Sequence, residues 1–122
     1  MRAANRTTGA RLRLVLEPEV AIGPGKADLL EAIGRTGSIA AAGRDLGMSY
    51  KRAWSLIEAL NRDFGAPLVA TSKGGQTRGG AELTALGRDV LDLYRRMEAN
   101  AGAAIESDLD ALRELVRHRA GA

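Results

Sequence analysis

Apolar residues change their spacing several times along the chain, and each change marks a predicted element. Leu12, Leu14 and Leu16 occupy alternate positions with Arg11, Arg13 and Val15 between them. A period of two is the repeat of a strand, and Pro18, which cannot donate to a ladder, ends it. From Lys26 the interval becomes helical: Leu29, Leu30 and Ile33 fall on one side, and Thr36-Gly37 offers a glycine to close the turn. The spacing predicts a first helix from about Gly25 to Arg35. Ser38 is placed to cap a second, short helix containing Ile39, Ala40, Ala41, Ala42 and Leu46, and Gly47 can take the positive φ that turns the chain. Ser49 caps a third helix, whose inward face is Ala53, Leu56, Ile57, Leu60 and Phe64. Lys51, Ser55, Glu58 and Arg62 follow at helical steps on another face, so this helix has a core side and a side free for a ligand.

Gly65, Ala66 and Pro67 end the third helix. Leu68 to Ser72 and Ala81 to Thr84 then read as two short strands around the loop from Lys73 to Gly80, a hairpin with a basic tip. Thr84 caps a last helix with the stripe Leu86, Val90, Leu93, Met97 and Ala101, continued by Ile105, Leu109, Leu112 and Val116. Unbroken to Arg117, it would span roughly 50 Å at 1.5 Å per residue. Two readings stay open at Asn100-Ala101-Gly102: a continuous helix, or a break after which Ser107 and Asp110 form a capping box for a separate one. Under either reading the stripe is longer than the rest of the chain can cover. A second copy of the chain is its natural partner, through Leu86, Val90, Leu93, Met97, Ala101 and Ile105.

Composition sharpens this picture. With 122 residues the chain fits one module, and with one Trp, one Phe and two Tyr its core must be built from Leu, Ile, Val and Ala. Such a core suits close-packed helices better than a β-sandwich, so the expected fold class is mainly α with a small β wing. The absence of cysteine excludes disulfides, thiolate metal sites and cysteine nucleophiles. No apolar run approaches the roughly 20 residues of a membrane span, and no signal-peptide core is visible, so a soluble cytoplasmic protein is the expectation.

Charge is uneven. Residues 1 to 16 carry +4, residues 17 to 34 carry −3, residues 35 to 80 carry +4 and residues 81 to 122 carry −2, within a net +3. A basic middle suits a surface that faces a polyanion, although charge alone does not separate that from a solvated Arg-rich face. The order of elements does. Helix, helix, tight turn, helix and a strand-loop-strand wing is the plan of a winged helix-turn-helix, whose third helix fits the major groove while a basic hairpin reaches nearby phosphates. The expected DNA-contacting set is Ser38, Arg44, Ser49, Tyr50, Lys51, Arg52 and Ser55, with Lys73, Gln76, Thr77 and Arg78 from the wing tip. Arg44 is balanced between a phosphate contact and a plain surface position, and Trp54 is expected in the core.

Rival chemistries are weak. The only histidine, His118, lies in a polar tail far from Ser49, so no triad can be assembled. The glycine-rich loop joins two strands, whereas phosphate-cradling loops join a strand to a helix. No metal-ligand cluster is visible, and neither a catalytic residue, a metal nor a cofactor is expected.

The run Gly37-Ser38-Ile39, the segment Gly47-Met48-Ser49-Tyr50-Lys51-Arg52-Ala53-Trp54, the pair Leu68-Val69 and the closure Leu83-Thr84-Ala85-Leu86-Gly87 resemble the N-terminal domain of ModE-type molybdate-responsive regulators. More distantly they are similar to the DNA-binding domain of LysR-type regulators. The resemblance covers about Leu12 to Met97 and implies a dimeric, sequence-specific DNA binder. In it the Ser49 helix is the reader and the final helix makes the dimer contact, with a link to molybdenum metabolism. ModE-type regulators carry oxyanion-binding domains after this part, and the sequence ends at Ala122, so no molybdate site is expected within it. Both families place a basic residue just after the first wing strand's apolar pair, where Ala70-Thr71 stands here. That phosphate contact is expected to be lost or moved to Lys73.

The domain reading is therefore a flexible basic arm over 1–10, a winged helix-turn-helix over 11–84 and a helical dimerisation segment over 85–122. The expected partners are double-stranded DNA and a second copy. A different class of function stays open: an interaction module whose C-terminal helix docks a separate sensor protein.

Overall fold

The computed structural model describes residues 9–72 and 80–121, with the side chains of 120 and 121 excepted. An N-terminal hairpin, β1 (Leu14–Glu17) and β2 (Val20–Ile22), leads into three helices, α1 (Pro24–Thr36), α2 (Ile39–Leu46) and α3 (Tyr50–Phe64). A second antiparallel pair, β3 (Val69–Ser72) and β4 (Gly80–Leu83), follows, and the chain finishes in α4 (Ala85–Gly121). The mainly helical architecture with a small wing and a long final helix agrees with the sequence reading.

The helix boundaries arise from local chemistry. Pro24 opens α1, where its missing N–H is not needed. Ser38 Oγ accepts a hydrogen bond from the Ala41 N–H at 3.0 Å, and Ser49 Oγ accepts one from the Arg52 N–H at 3.0 Å, so both serines cap as expected. Between α2 and α3, Gly47 stands at φ 70, and its N–H reaches back to the Arg44 carbonyl. That left-handed residue lets the chain reverse within three positions.

The core is one cluster. Leu29, Leu30 and Ile33 of α1 meet Ile39 and Ala42 of α2, Ala53, Ile57 and Leu60 of α3, Leu68, and Val69, Ala81 and Leu83 of the wing. The wing is tied down by backbone bonds, with the Ala81 N–H donating to the Gly37 carbonyl and the Thr84 N–H to the Leu68 carbonyl. Thr84 also caps α4, accepting from the Gly87 N–H at 3.0 Å while its hydroxyl donates to the Pro67 carbonyl at 2.8 Å. Gly87 sits so close to the wing that a Cβ there would lie 2.1 Å from the Leu68 carbonyl oxygen. The Leu-Thr-x-x-Gly closure is thus a packing device that seats the last helix against the wing.

Three features add to the sequence reading, which left the continuity of the last helix open. Val20 to Ile22 form a second N-terminal strand, joined to β1 through a turn at Pro18-Glu19 with Glu19 at φ 71 and a register shift between Val15 and Glu17. The helix from Ala85 runs unbroken through Asn100-Ala101-Gly102, because a single glycine costs only about 1 kcal/mol against alanine inside a helix. Its length is about 55 Å at 1.5 Å per residue. At its start, the stripe expected to meet a second copy is engaged within the chain itself. Val90 is buried in the chain's own core, and Leu86 packs partly against it, because the first turns of α4 close the winged-helix body. Tyr94, absent from the stripe, is one of the largest fully buried side chains and donates its hydroxyl to the Leu12 carbonyl at 2.6 Å.

Candidate nucleic-acid interface

The N-terminal half of α3 projects from the body. Its buried side carries Ala53, Ile57 and Leu60, so Ser49, Tyr50, Lys51, Arg52 and Ser55 are left exposed. Tyr50 packs edge-on to Trp54, with ring centroids 6.3 Å apart and planes at 79°. Trp54 is half-buried, with its body against the core and one side towards the surface, so the core role expected for it describes only part of its surroundings.

Beside this helix lies an open groove of about 860 Å³ between α2, α3 and the base of the wing. Ser38 and Arg44 reach it from α2, Tyr50 and Trp54 from α3, and Thr71 and Ser72 from β3. Ser72 Oγ accepts a hydrogen bond from the Gly80 N–H at 3.2 Å, which pins the two wing strands together at the edge of the groove. Thr71 and Ser72 were not singled out by sequence. The only signal for them was their place in the first wing strand, which carries no chemistry of its own.

Several cations of the remaining surface are held in ion pairs, although Arg13 and Arg96, like the cations of this face, have none among the described residues. Arg35 pairs with Asp45 at 2.7 Å, Lys26 with Asp63 at 3.9 Å, and Arg113 with Asp110 at 2.7 Å. Among the described residues, Arg44, Lys51 and Arg52 have no acidic partner within ion-pair distance and no side-chain hydrogen bond. Cations left solvated at a convex helix beside a groove are available to neutralise phosphates. Lys73, Gln76, Thr77 and Arg78, the wing-tip residues expected to touch DNA, lie outside the described residues. Ala70 and Thr71 are exposed on β3.

The residues expected in a dimer contact separate into two groups. Leu86 and Val90 belong to the body, whereas Leu93, Met97 and Ile105 are 49%, 41% and 38% exposed and Ala101 is half-buried between them. No helix among the described residues is long and apolar enough to cross a membrane, and no group of three His, Asp or Glu side chains among them could hold a metal ion.

Residues 26–88 match the family described as bacterial regulatory helix-turn-helix protein, lysR family. The chain is similar to the "Molybdenum-pterin-binding protein MopB" of Rhodobacter capsulatus, 41% identical over 82% of this chain and 33% of that protein. It is also similar to the "DNA-binding transcriptional dual regulator ModE" of Escherichia coli strain K12, 36% identical over 83% of this chain and 39% of that protein. The chain thus spans between a third and two fifths of the length of these curated relatives. Among solved structures it resembles the "CbnR_DBD-DNA complex", with a TM-score of 0.59 at 30% identity, over 72% of this chain and 95% of that one.

Proposed function

This chain belongs to the bacterial regulatory helix-turn-helix proteins of the LysR family, and from that premise we propose that it is a homodimeric, sequence-specific DNA-binding transcriptional regulator linked to molybdenum metabolism. Residues 11–84 form the DNA-binding unit, residues 85–122 the dimerisation segment and residues 1–10 a basic arm. The N-terminal half of α3 enters the major groove. Arg52 and Ser55 read base edges, Lys51 and Tyr50 hold phosphates, and Arg44 with Ser38 grips the backbone on the groove side. Lys73, Gln76, Thr77 and Arg78 contact the neighbouring backbone. Two copies join through Leu93, Met97, Ala101 and Ile105 and present their α3 helices about 34 Å apart, one turn of DNA, to a palindromic site. The molybdenum link is supported by the names of the relatives MopB and ModE.

The observation that carries this reading is the unpaired cationic face of Lys51 and Arg52 on a helix whose other side is core, standing beside the Arg44 groove. Selection from random duplexes should return a consensus with dyad symmetry, and binding should weaken steeply with salt. Arg52→Ala should weaken the consensus by about 1–3 kcal/mol and relax preference at one base position, whereas Lys73→Ala should weaken all duplexes alike. Equal effects of the two changes would overturn their assignment. The absence of any saturable shift at physiological salt would leave the protein-docking module as the better reading.

A further inference from the structure

The direction in which α4 leaves the body is set at one place. Up to Tyr94 the helix is held by packing, with Val90 and Tyr94 buried and the Tyr94 hydroxyl bonded to the Leu12 carbonyl. One residue later, Arg95 spreads its guanidinium across two carboxylates of α1. Its Nη2 lies 2.9 Å from Asp28 Oδ1 and 2.6 Å from Glu31 Oε1, and its Nη1 lies 3.0 Å from Glu98 Oε1. Arg11 adds a longer contact to Asp28, at 3.7 Å. Beyond Glu98 no described side chain of α4 is buried, so Arg95 makes the last polar tie between the body and the projecting helix.

Asp28 and Glu31 stand three apart on α1, on one face, close enough for the single Nη2 to touch both, while Nε adds a bond to Glu31 Oε1 at 2.8 Å and Nη1 holds Glu98, a fork that one ammonium cannot reproduce. Without the guanidinium, Glu98 on α4 would face Asp28 and Glu31 on α1 as like charges, which would push the two helices apart. From Arg95 to Ile105, the far end of the proposed contact, the helix is a lever of about 15 Å, so a tilt of about 10° at its root in each copy changes the separation of the two bodies by about 5 Å. Base pairs follow one another at about 3.4 Å along the duplex, so a displacement of that size is worth one to two of them.

We propose that Arg95 is the positioning residue of the DNA-bound dimer: by clamping α4 to Asp28 and Glu31 it sets the separation of the two α3 helices and thereby the half-site spacing that the dimer accepts. This rests on the reading of the chain as a dimeric DNA-binding regulator. Arg95 touches neither DNA nor the second copy in this scheme and acts through the angle of α4.

The test uses the full chain and duplexes carrying two selected half-sites whose spacing is varied one base pair at a time, with a single half-site duplex beside them. Arg95→Lys keeps the charge but loses the separate Nε and Nη1 bonds that hold Glu31 and Glu98 at the same time, and Arg95→Met removes the charge. Both should leave single half-site affinity within about twofold, while the preference for the best spacing over its neighbours falls by about tenfold or its optimum moves. Glu31→Gln should shift the profile the same way by less. Spacing profiles of Arg95→Lys and Glu31→Gln that superimpose on the parent would overturn the proposal, whether or not Arg95→Met folds. Because the chain has no cysteine, a spin label at Glu58→Cys on the exposed side of α3 reads the separation of the two copies without DNA. That distance should broaden or move by about 5 Å in Arg95→Lys, given the lever above. An unchanged distance, or a chain that stays monomeric, sinks the inference. Failure of the parent chain to bind any duplex would instead sink the regulator reading, while the label distance still decides the role of Arg95.

Discussion

From Ala85 to Glu98, α4 is part of a packed body, whereas from Ala99 to Arg119 no described side chain of the same helix is buried. The first stretch buries Val90 and Tyr94, seats Gly87 against the wing and anchors Arg95 on α1. The second carries Leu112, Leu115 and Val116 at 59%, 66% and 52% exposure. It is supported by ion pairs along its own length, such as Asp110 with Arg113 and Glu114 with Arg117. Pairs of that kind contribute about 0.2–0.5 kcal/mol each. A helix of this length without tertiary packing is only marginally stable in water. The difference teaches that the two halves owe their helicity to different sources: the first to the core of its own chain, the second, in the dimer proposed above, to the surface of a second copy.

Two glycines on α4 test that division, and the larger effect belongs to the body. Gly87→Ala places a methyl group 2.1 Å from the Leu68 carbonyl oxygen. It should cost at least about 3 kcal/mol in urea unfolding, since the wing strand is backbone and cannot step aside. A loss under about 1 kcal/mol would mean that α4 is seated more loosely than this contact implies.

The second half breaks differently. Met97→Glu combined with Ile105→Glu should leave the body folded but weaken association by about a hundredfold, close to 2.7 kcal/mol, read by sedimentation at several concentrations. Circular dichroism should then show the helix beyond Glu98 fraying as the dimer is lost. A doubly substituted chain that still sediments as a dimer would move the contact elsewhere.

Tyr94→Phe should cost about 1 kcal/mol, the net value of the hydroxyl bond to Leu12. Burial, followed by the nearby Glu98 carboxylate and opposed by Arg95, raises the Tyr94 pKa above its ordinary value of 10.0. The folded protein therefore holds this proton more tightly than the unfolded chain. That contribution to stability is complete below about pH 10 and is lost as pH climbs through the raised folded value. Unfolding followed from pH 8 to pH 11 should show this alkaline decline in the parent and a flatter limb in Tyr94→Phe.

The smallest effect sharpens the comparison from the other side. Gly102 has nothing within 4 Å of where a Cβ would stand, so Gly102→Ala should raise stability or helicity by up to about 1 kcal/mol. A loss instead would place a second copy's backbone against that position.

Much of the architecture was legible because its signals are local. Gly37, Gly47 and Gly65 end the three helices, Ser38 and Ser49 cap two of them, and apolar residues at helical spacing mark their inner faces. The strand over Val20 to Ile22 was hidden, since three residues after a turn built on Glu19 rather than glycine carry no alternation to read. The exposed α3 residues were legible as one face of a helix, but Thr71 and Ser72 entered the groove only through the pairing of β3 with β4.

Periodicity and capping chemistry were enough to set the order and ends of the elements, because those depend on neighbours within a few positions along the chain. Which side of α4 turns inward was beyond their reach. Leu93 and Tyr94 lie about 100° apart on the helix, and only the arrival of α1, the wing and the Leu12 carbonyl at one side decided that Tyr94 is buried and Leu93 left outside. The clamp of Arg95 on Asp28 and Glu31 likewise joins positions more than 60 residues apart. No local rule links them, and the fold brings them together by packing α1 against α4.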